Sequence, residues 1–485
     1  MGGAERRSFG RGVWFLAAAA ALAGLVPLAL VVQVPDTGRS GAWPLTLTLL
    51  VYGGIRLSLA VAQGLPRLFD FFFWLFCYVF MGLAPTVQMR SGQLARTTPG
   101  IAPDLDLPTA LLVCGGVLAY EIGRAVAVLV ERRRRVQGYR GALPTLAPVG
   151  VDRLRAALLV GSGALFSAYF VSRVGVASLF GSRDAAFAAR SATFPDPAIR
   201  SIMYALSVYP LLVGIGALTQ LRRLARPGAA ALGYGAAAVG ASLLLLTIIN
   251  PVSSARYSLG TVLFALAVYA GAVARSLRVR FALLGTLVGL VFLFPLADAF
   301  RRSTGVNLAR EGFFGEYQGN PDYDGFWQIA NAYSYVVDGL VQGGQQALGV
   351  VLFWVPRSVW ADKPIDTGIL LANYRGYSFT NLSAPLWAEF LVNGGVWLLV
   401  LGFVGVGYLL RALDTRLLPA FAQSGFWAIV GAIFPVYMTI LLRGSLLQAT
   451  GAVTVAAASL VFVRARARVA ATTSSASPRS PAQGR

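Results

Sequence analysis

The chain has 485 residues, 56% apolar and 13% charged, with a mean hydropathy of +0.66; ordinary soluble domains carry about 25% charged residues, so a water-soluble fold is excluded. The formal net charge of +21 does not point to nucleic acid, because the Arg residues fall in short clusters between apolar stretches and form no basic domain able to track a phosphate backbone. His is absent, which removes His triads, His metal sites and His proton relays together and leaves carboxylates, Lys, Arg and Tyr for acid–base work.

In chain order, twelve apolar segments approach the length of about 20 residues that crosses a hydrocarbon core: 13–33, 43–62, 68–88, 108–130, 154–172, 201–221, 229–249, 257–274, 279–297, 385–410, 420–442 and 445–463. The expected fold class is an all-α polytopic membrane protein with about 12 transmembrane helices. The first segment exceeds a typical signal-peptide core and lacks a convincing small-residue cleavage site before Gln33, so it reads as a signal anchor. Cys77 and Cys114 both fall inside spans and read as small packing residues, with no disulfide inferred.

Orientation follows from basic residues in short loops. The N-terminus (1–12), the run Arg132 to Arg135, and the groups Arg222/Arg223/Arg226, Arg275/Arg278/Arg280, Arg411/Arg416 and Arg464/Arg466/Arg468 share one face when the twelve spans are threaded alternately. That face is expected to be cytoplasmic, with both termini there and a disordered tail over 464–485. Spans one to nine then occupy 13–297 and spans ten to twelve 385–463. Between them, 298–384 forms a large extracytoplasmic loop, and 298–389 holds nine of the chain's twenty acidic residues. Long loops of this kind carry function more often than they carry structure. Within it, 326–341 reads as an interfacial helix, and 347–356 as a short re-entrant or surface segment.

Subtracting the cytoplasmic clusters leaves basic residues that topology does not explain. Arg183, Arg190 and Arg200 read first as residues snorkelling to lipid head groups. Arg256 in NPVSSARY, Arg301 and Arg302 after span nine, Arg357 and Lys363 in PRSVWADKPIDTG, and Arg443 in an RGS turn abut span ends or Pro-restricted turns, where planar guanidinium forks suit phosphate oxygens. Lys363 is the only Lys in the chain, which either is chance or marks a site that prefers a compact ammonium. Glu389, at the start of span ten among Trp387, Phe390 and Leu391, is a costly carboxylate; burial would suit it to general-base work, while a neighbouring Arg would make it structural. Asp322 and Asp324 are alternative carboxylates, and Asp324, Tyr323 and Trp327 are glycan-contact candidates because aromatic faces stack on sugars. No Walker, Rossmann or metal-ligand pattern is present, so no cofactor and no metal is expected.

The stretches NPVSSARY (250–257), PLADAFRR (295–302), YDGFWQIANAYSYV (323–336), FWVPRSVWADKPIDTG (353–368), NLSAPLWAEFLVNGGVW (381–397) and the RGS turn (443–445) together resemble the O-antigen polymerase family, the oligosaccharide repeat-unit polymerases of bacterial surface-polysaccharide assembly. The resemblance covers about residues 245–450. It implies a metal-independent glycosyltransferase in the bacterial cytoplasmic (inner) membrane, acting at its outer leaflet on polyprenyl-diphosphate-linked oligosaccharide. Membrane lipid, a chain-length regulator and a flippase are the implied partners. On this resemblance Arg256, Arg301 or Arg302, Arg357, Lys363 and Arg443 would serve the pyrophosphate, and Glu389 would be catalytic, as base or acceptor-orienting carboxylate. The related O-antigen ligases typically place a functional His in the large outer loop, which this chain lacks. A ligase, or a lipid-linked oligosaccharide flippase, are the rival expectations; Arg56 and Glu121 inside drawn spans keep transport open.

Overall fold

The computed structural model describes residues 3–136, 149–293, 313–422 and 425–465, and every regular element among them is helical. Among the described residues, ten helices are long and apolar enough to cross a membrane. In chain order they are α1 (Gly10–Gln33), α2 (Trp43–Gln63), α3 (Leu68–Ser91), α4 (Pro103–Arg134), α5 (Arg153–Val174), then, after the shorter α6 (Arg183–Thr193), α7 (Ile199–Leu224) and α8 (Ala229–Ile248). Two further helices, α9 (Arg256–Tyr269) and α10 (Ser276–Val288), precede the loop helices α11 (Gly325–Val337), α12 (Gln345–Val351) and α13 (Thr367–Arg375). The last three spans are α14 (Leu386–Phe421), α15 (Phe426–Arg443) and α16 (Leu446–Val463). The protein is thus a membrane-embedded, polytopic helical protein.

Two of the twelve expected spans meet shorter elements. Segment 257–274 corresponds to α9, whose 14 residues rise only about 21 Å at 1.5 Å each. Segment 279–297 corresponds to α10 and the π-helical turn Gly289–Leu293 that continues it to the limit of the described residues.

The bundle is built around α3, whose run LFDFFFWLFCYVFMGL is almost wholly buried. Its π-helical stretch Cys77–Leu83 runs up to Pro85, and that of α1, Ala20–Leu25, runs up to Pro27. A proline removes one hydrogen bond and crowds the preceding turn, and local widening absorbs both effects. Helices α4 and α14 pack at backbone contact: a Cβ on Gly123 would lie 1.9 Å from the Val404 carbonyl oxygen, and one on Gly407 2.0 Å from that of Tyr120. Such close approach through small residues is how helices gain packing where no hydrophobic drive separates lipid from protein. Peripheral helices α5 and α8 instead expose Leu158, Leu165, Leu232 and Leu243, as a lipid-facing surface requires.

The charged side chains that join α2, α3, α4 and α14 are paired. Arg56 on α2 lies between Asp70 (3.3 Å) on α3 and Glu121 on α4, with its guanidinium 4.9 Å from the Trp74 ring. The Tyr120 hydroxyl donates to Asp70 (2.9 Å), and Arg124 Nε donates to Glu121 (2.9 Å). Asp414 on α14 accepts the N–H groups of Phe69 (3.0 Å) and Asp70 (2.9 Å), filling the orphan donors at the start of α3. Glu131 accepts from Arg411 (3.2 Å) and Thr415 (2.8 Å). Each of these carboxylates has its partners, so α2, α3, α4 and α14 are clamped by a polar network in which the acidic groups are engaged.

Helix α11 departs from the expected interfacial helix. Phe326 through Ala332 are all buried, against α14, α13 and α4. The polar residues that made it look amphipathic, Gln328 and Asn331, point inward, and Trp327 donates from Nε1 to Gln88 of α3 (2.6 Å). Within 347–356, the expected re-entrant or surface segment, Leu348, Val351 and Trp354 are exposed.

Candidate functional site

Three Arg residues from three separate elements converge on one carboxylate. Asp322 Oδ1 lies 3.6 Å from Arg443 Nη2, while its Oδ2 lies 3.7 Å from Arg256 Nη2 and 3.9 Å from Arg183 Nη1. Around this hub Arg256 also pairs with Glu316 (3.3 Å), and Arg443 with Asp324 (3.9 Å).

Local sequence explains how each cation is aimed. Arg256 is the first residue of α9, and the preceding Asn-Pro turn is an Asx turn: Asn250 Oδ1 accepts the N–H groups of Val252 and Ser253, both at 3.0 Å. The turn is pinned to the end of α5's neighbour segment, since Asn250 Nδ2 (2.9 Å) and the Ser253 hydroxyl (2.5 Å) both donate to the Leu179 carbonyl. Arg183 is the first residue of α6, capped by Ser182, whose hydroxyl oxygen accepts from the Ala185 N–H. Arg443 closes α15, and its carbonyl accepts from the Ala384 N–H (3.1 Å). The acidic side is held by Gln88 of α3, which donates to the carbonyls of Tyr317 (3.0 Å) and Tyr323 (3.4 Å). Asn320 then accepts from the Asp322 N–H (3.0 Å) and donates to Glu316 (2.6 Å).

Aromatic rings floor the cluster. The Arg443 guanidinium lies 5.8 Å from the centroid of Phe80, which is 5.6 Å from Tyr323, itself 4.7 Å from Tyr317. A ring face beneath a guanidinium adds a cation–π contact and keeps water from one side. Asp324 is buried and receives both the Ser383 N–H (3.0 Å) and the Ser383 hydroxyl. Burial pushes its carboxyl above the usual range, against the opposing pull of Arg443 and Ser383.

Glu389 lies across the RGS turn from this cluster. It is 1% exposed, and its two oxygens accept from the Leu446 N–H and from the Thr367 hydroxyl, each at 2.9 Å. Leu446 is the first residue of α16. The carboxylate therefore satisfies an orphan donor at a helix N-terminus, where the dipole favours negative charge. No ion pair to an Arg engages it among the described residues. Asp366 stands nearby and caps α13 through the Gly368 N–H (2.8 Å); burial raises its carboxyl, partly offset by that bond and by Ser445.

The residues singled out in the sequence thus divide. Arg256, Arg443, Asp324 and Tyr323 come together, with Glu389 one turn away. Arg357 instead donates to the carbonyls of Lys363 (2.7 Å) and Pro364 (3.2 Å), and Lys363 Nζ to those of Phe353 (2.6 Å) and Val355 (2.9 Å). These two cations close their own loop, and among the described residues neither bonds to the Asp322 cluster. A compact ammonium fits between two carbonyls two residues apart, which a planar guanidinium fits less well. Trp327 is fully buried, its ring faces covered, and it acts as a packing residue. Arg301 and Arg302 lie outside the described residues.

The sequence alone makes Arg183 a residue snorkelling to lipid head groups and Asp322 an alternative carboxylate, yet both belong to the cluster, as does Glu316. A signal was present for Arg183: a cation at the first position of a helix opposes the dipole and calls for an anion nearby. Among the described residues no group of three or more His, Cys, Asp or Glu side chains is arranged to hold a metal ion. A slot of ≈ 290 Å³ opens between α4, α11 and α14, lined by Leu111, Tyr333, Leu399, Val400 and neighbouring residues, and suits hydrocarbon more than a charged group. No family model, curated protein or solved structure matches the chain.

Proposed function

We propose that this protein is an oligosaccharide repeat-unit polymerase, a glycosyltransferase that extends polyprenyl-diphosphate-linked glycans at the outer leaflet of a bacterial cytoplasmic membrane. The observation that carries the reading is the convergence of Arg183, Arg256 and Arg443 on one partly exposed point in a membrane-embedded protein. Guanidinium forks from separate elements can each take diphosphate oxygens, and fixed cations aimed at developing negative charge are the main way to speed departure of such a group.

In the proposed reaction a hydroxyl at the non-reducing end of the acceptor repeat unit attacks the anomeric carbon of the donor glycan. The bond from that carbon to the phosphate oxygen breaks, its electron pair leaves with the lipid diphosphate, and the hydroxyl proton passes to a carboxylate or to water. The leaving group is already a diphosphate, so the step consumes no nucleotide. The distribution of basic residues, threaded through twelve spans, supports a non-cytoplasmic position for the Arg cluster and the 298–384 segment. Glu389 is assigned a positioning role: it ties the start of α16, and with it the turn bearing Arg443, to α13 and α14.

Transfer is favoured over flipping because Arg56 and Glu121, the charges that would otherwise argue for transport, are paired within the bundle together with Asp70 and Arg124. The test is reconstitution of the purified protein in proteoliposomes with a polyprenyl-diphosphate-linked repeat unit, without nucleotide or added metal. A ladder of longer glycans with release of lipid diphosphate is expected. Single-repeat lipid that persists unchanged overturns the proposal.

A further inference from the structure

The Asp322 contacts have the wrong length for a finished ion pair. Charge-assisted N–H···O bonds run at about 2.7–2.9 Å, whereas the three guanidinium groups stand 3.6, 3.7 and 3.9 Å from this carboxylate. None of the three makes a hydrogen bond with it. Elsewhere the protein builds tight pairs readily, as where Arg39 grips Asp106 with two bonds of 3.0 and 3.1 Å. Two of the three cations, Arg183 and Arg256, also occupy the first positions of α6 and α9, where backbone N–H groups and the helix dipole add positive potential and disfavour a cation unless an anion is close. The buried Nε of Arg443 has no hydrogen-bond partner among the described residues, although its guanidinium lies beside two carboxylates. A carboxylate has acceptor sites enough for three forks, so it is the distances of 3.6, 3.7 and 3.9 Å, not a shortage of lone pairs, that leave Asp322 loosely held.

We infer that Asp322 is the resident anion of a diphosphate subsite: it occupies the point between Arg183, Arg256 and Arg443 until a diphosphate group displaces it. The inference rests on the diphosphate-handling reading above and adds a regulatory element to that site. The resident carboxylate keeps the three cations aligned without ligand and sets a threshold for binding, because an incoming anion must first displace it. Phosphodiester head groups, which carry a single negative charge, compete with the carboxylate less well than a diphosphate does. Asp322 sits on the short 3-10 turn Pro321–Tyr323 and is partly exposed, so its displacement needs only a side-chain rotation and leaves the buried Asp324–Ser383 contact in place.

The experiment uses the full-length protein in nanodiscs, with inorganic diphosphate and a polyprenyl diphosphate as separate ligand arms. Asp322→Asn removes the competing charge and is expected to tighten diphosphate binding about tenfold, equivalent to about 1.4 kcal/mol, while Arg443→Gln weakens it at least tenfold. A response in both arms, or in the lipid arm alone, supports the inference; binding by Asp322→Asn that is unchanged or weaker than wild type in both arms overturns it. Should Asp322→Asn fail to fold, the wild-type protein gives an independent readout. Carbodiimide-driven coupling of glycinamide to Asp322, followed by mass spectrometry, should rise when diphosphate is added, and a fall or no change overturns displacement. Failure of the polymerase reading looks different: these responses would persist in a protein that forms no glycan ladder, whereas chain growth with an inert Asp322 would sink the resident-anion inference alone.

Discussion

The two charged clusters use the same residue types and reach opposite states. Around Arg56 every carboxylate is engaged at hydrogen-bonding distance or by backbone N–H groups, and the cluster clamps four helices inside the membrane-spanning bundle. Around Asp322 three cations crowd one carboxylate at distances too long for hydrogen bonds, on elements joined by loops. Charges closely matched to their partners hold a structure, whereas cations gathered loosely around one carboxylate leave its place open to a more highly charged ligand. The difference lies in geometry, since neither residue identity nor net charge separates the two.

Breaking the tight cluster should have the largest effect on the protein itself. Arg56→Met leaves Asp70 without its cation and Glu121 with Arg124 alone, and removing one member of a buried pair costs about 3–5 kcal/mol. A clear drop in thermal stability and in monodisperse yield is expected; wild-type melting would show that the network is not a clamp. Arg443→Ala acts on the loose cluster and should lower the rate of glycan extension on the order of 10²-fold, with the melting temperature close to wild type. Loss of stability in step with activity would erase the distinction between the clusters.

Glu389 sharpens the comparison because it resembles the tight cluster in being saturated. Glu389→Ala, which strips both accepted hydrogen bonds, should cost about 1–2 kcal/mol and reduce activity by loosening the turn that bears Arg443. Glu389→Gln keeps an acceptor oxygen for the Leu446 N–H and should retain most of the glycan ladder. A stable but inactive Gln variant would show that the carboxylate takes a proton. The smallest effect is expected from Arg357→Ala, which loses two bonds within one exposed loop, about 1 kcal/mol or less, and leaves chain-length distributions unchanged. A strong loss of polymer would bring that loop into the site.

The apolar spans were legible because membrane-crossing length is a local property of sequence. The exception at 257–274 is instructive: Ala270 to Val273 are as apolar as the helix before them, but Gly271 adopts φ 97°, and α9 ends. Arg256 and Arg443 were legible by subtraction, as basic residues without a topological reason. Their partners were not, because Asp322 and Arg183 meet only through tertiary folding across 139 positions of chain. The self-bonding of Arg357 and Lys363 was equally hidden, since a cation that satisfies its own loop's carbonyls looks in sequence like one that awaits a ligand. Helix α11 misled for a related reason: Gln328 and Asn331 read as a wet face, and both point into protein.

The break at Gly394 and Gly395, where Gly395 takes φ 64° and ψ −160°, interrupts α14 just after the turns that carry Glu389. Those turns are fastened to the start of α16 and to α13, whereas the remainder of α14 is fastened to α3 and α4, so the remainder can tilt with those two helices without carrying the turns along. A span that meets a thicker or thinner bilayer accommodates mainly by tilting, and the glycine pair is where that tilt is absorbed. The spacing of the charged groups should therefore hold steady across membranes of different lipid chain length, and the protein's chemistry should be insulated from the thickness of the sheet that holds it.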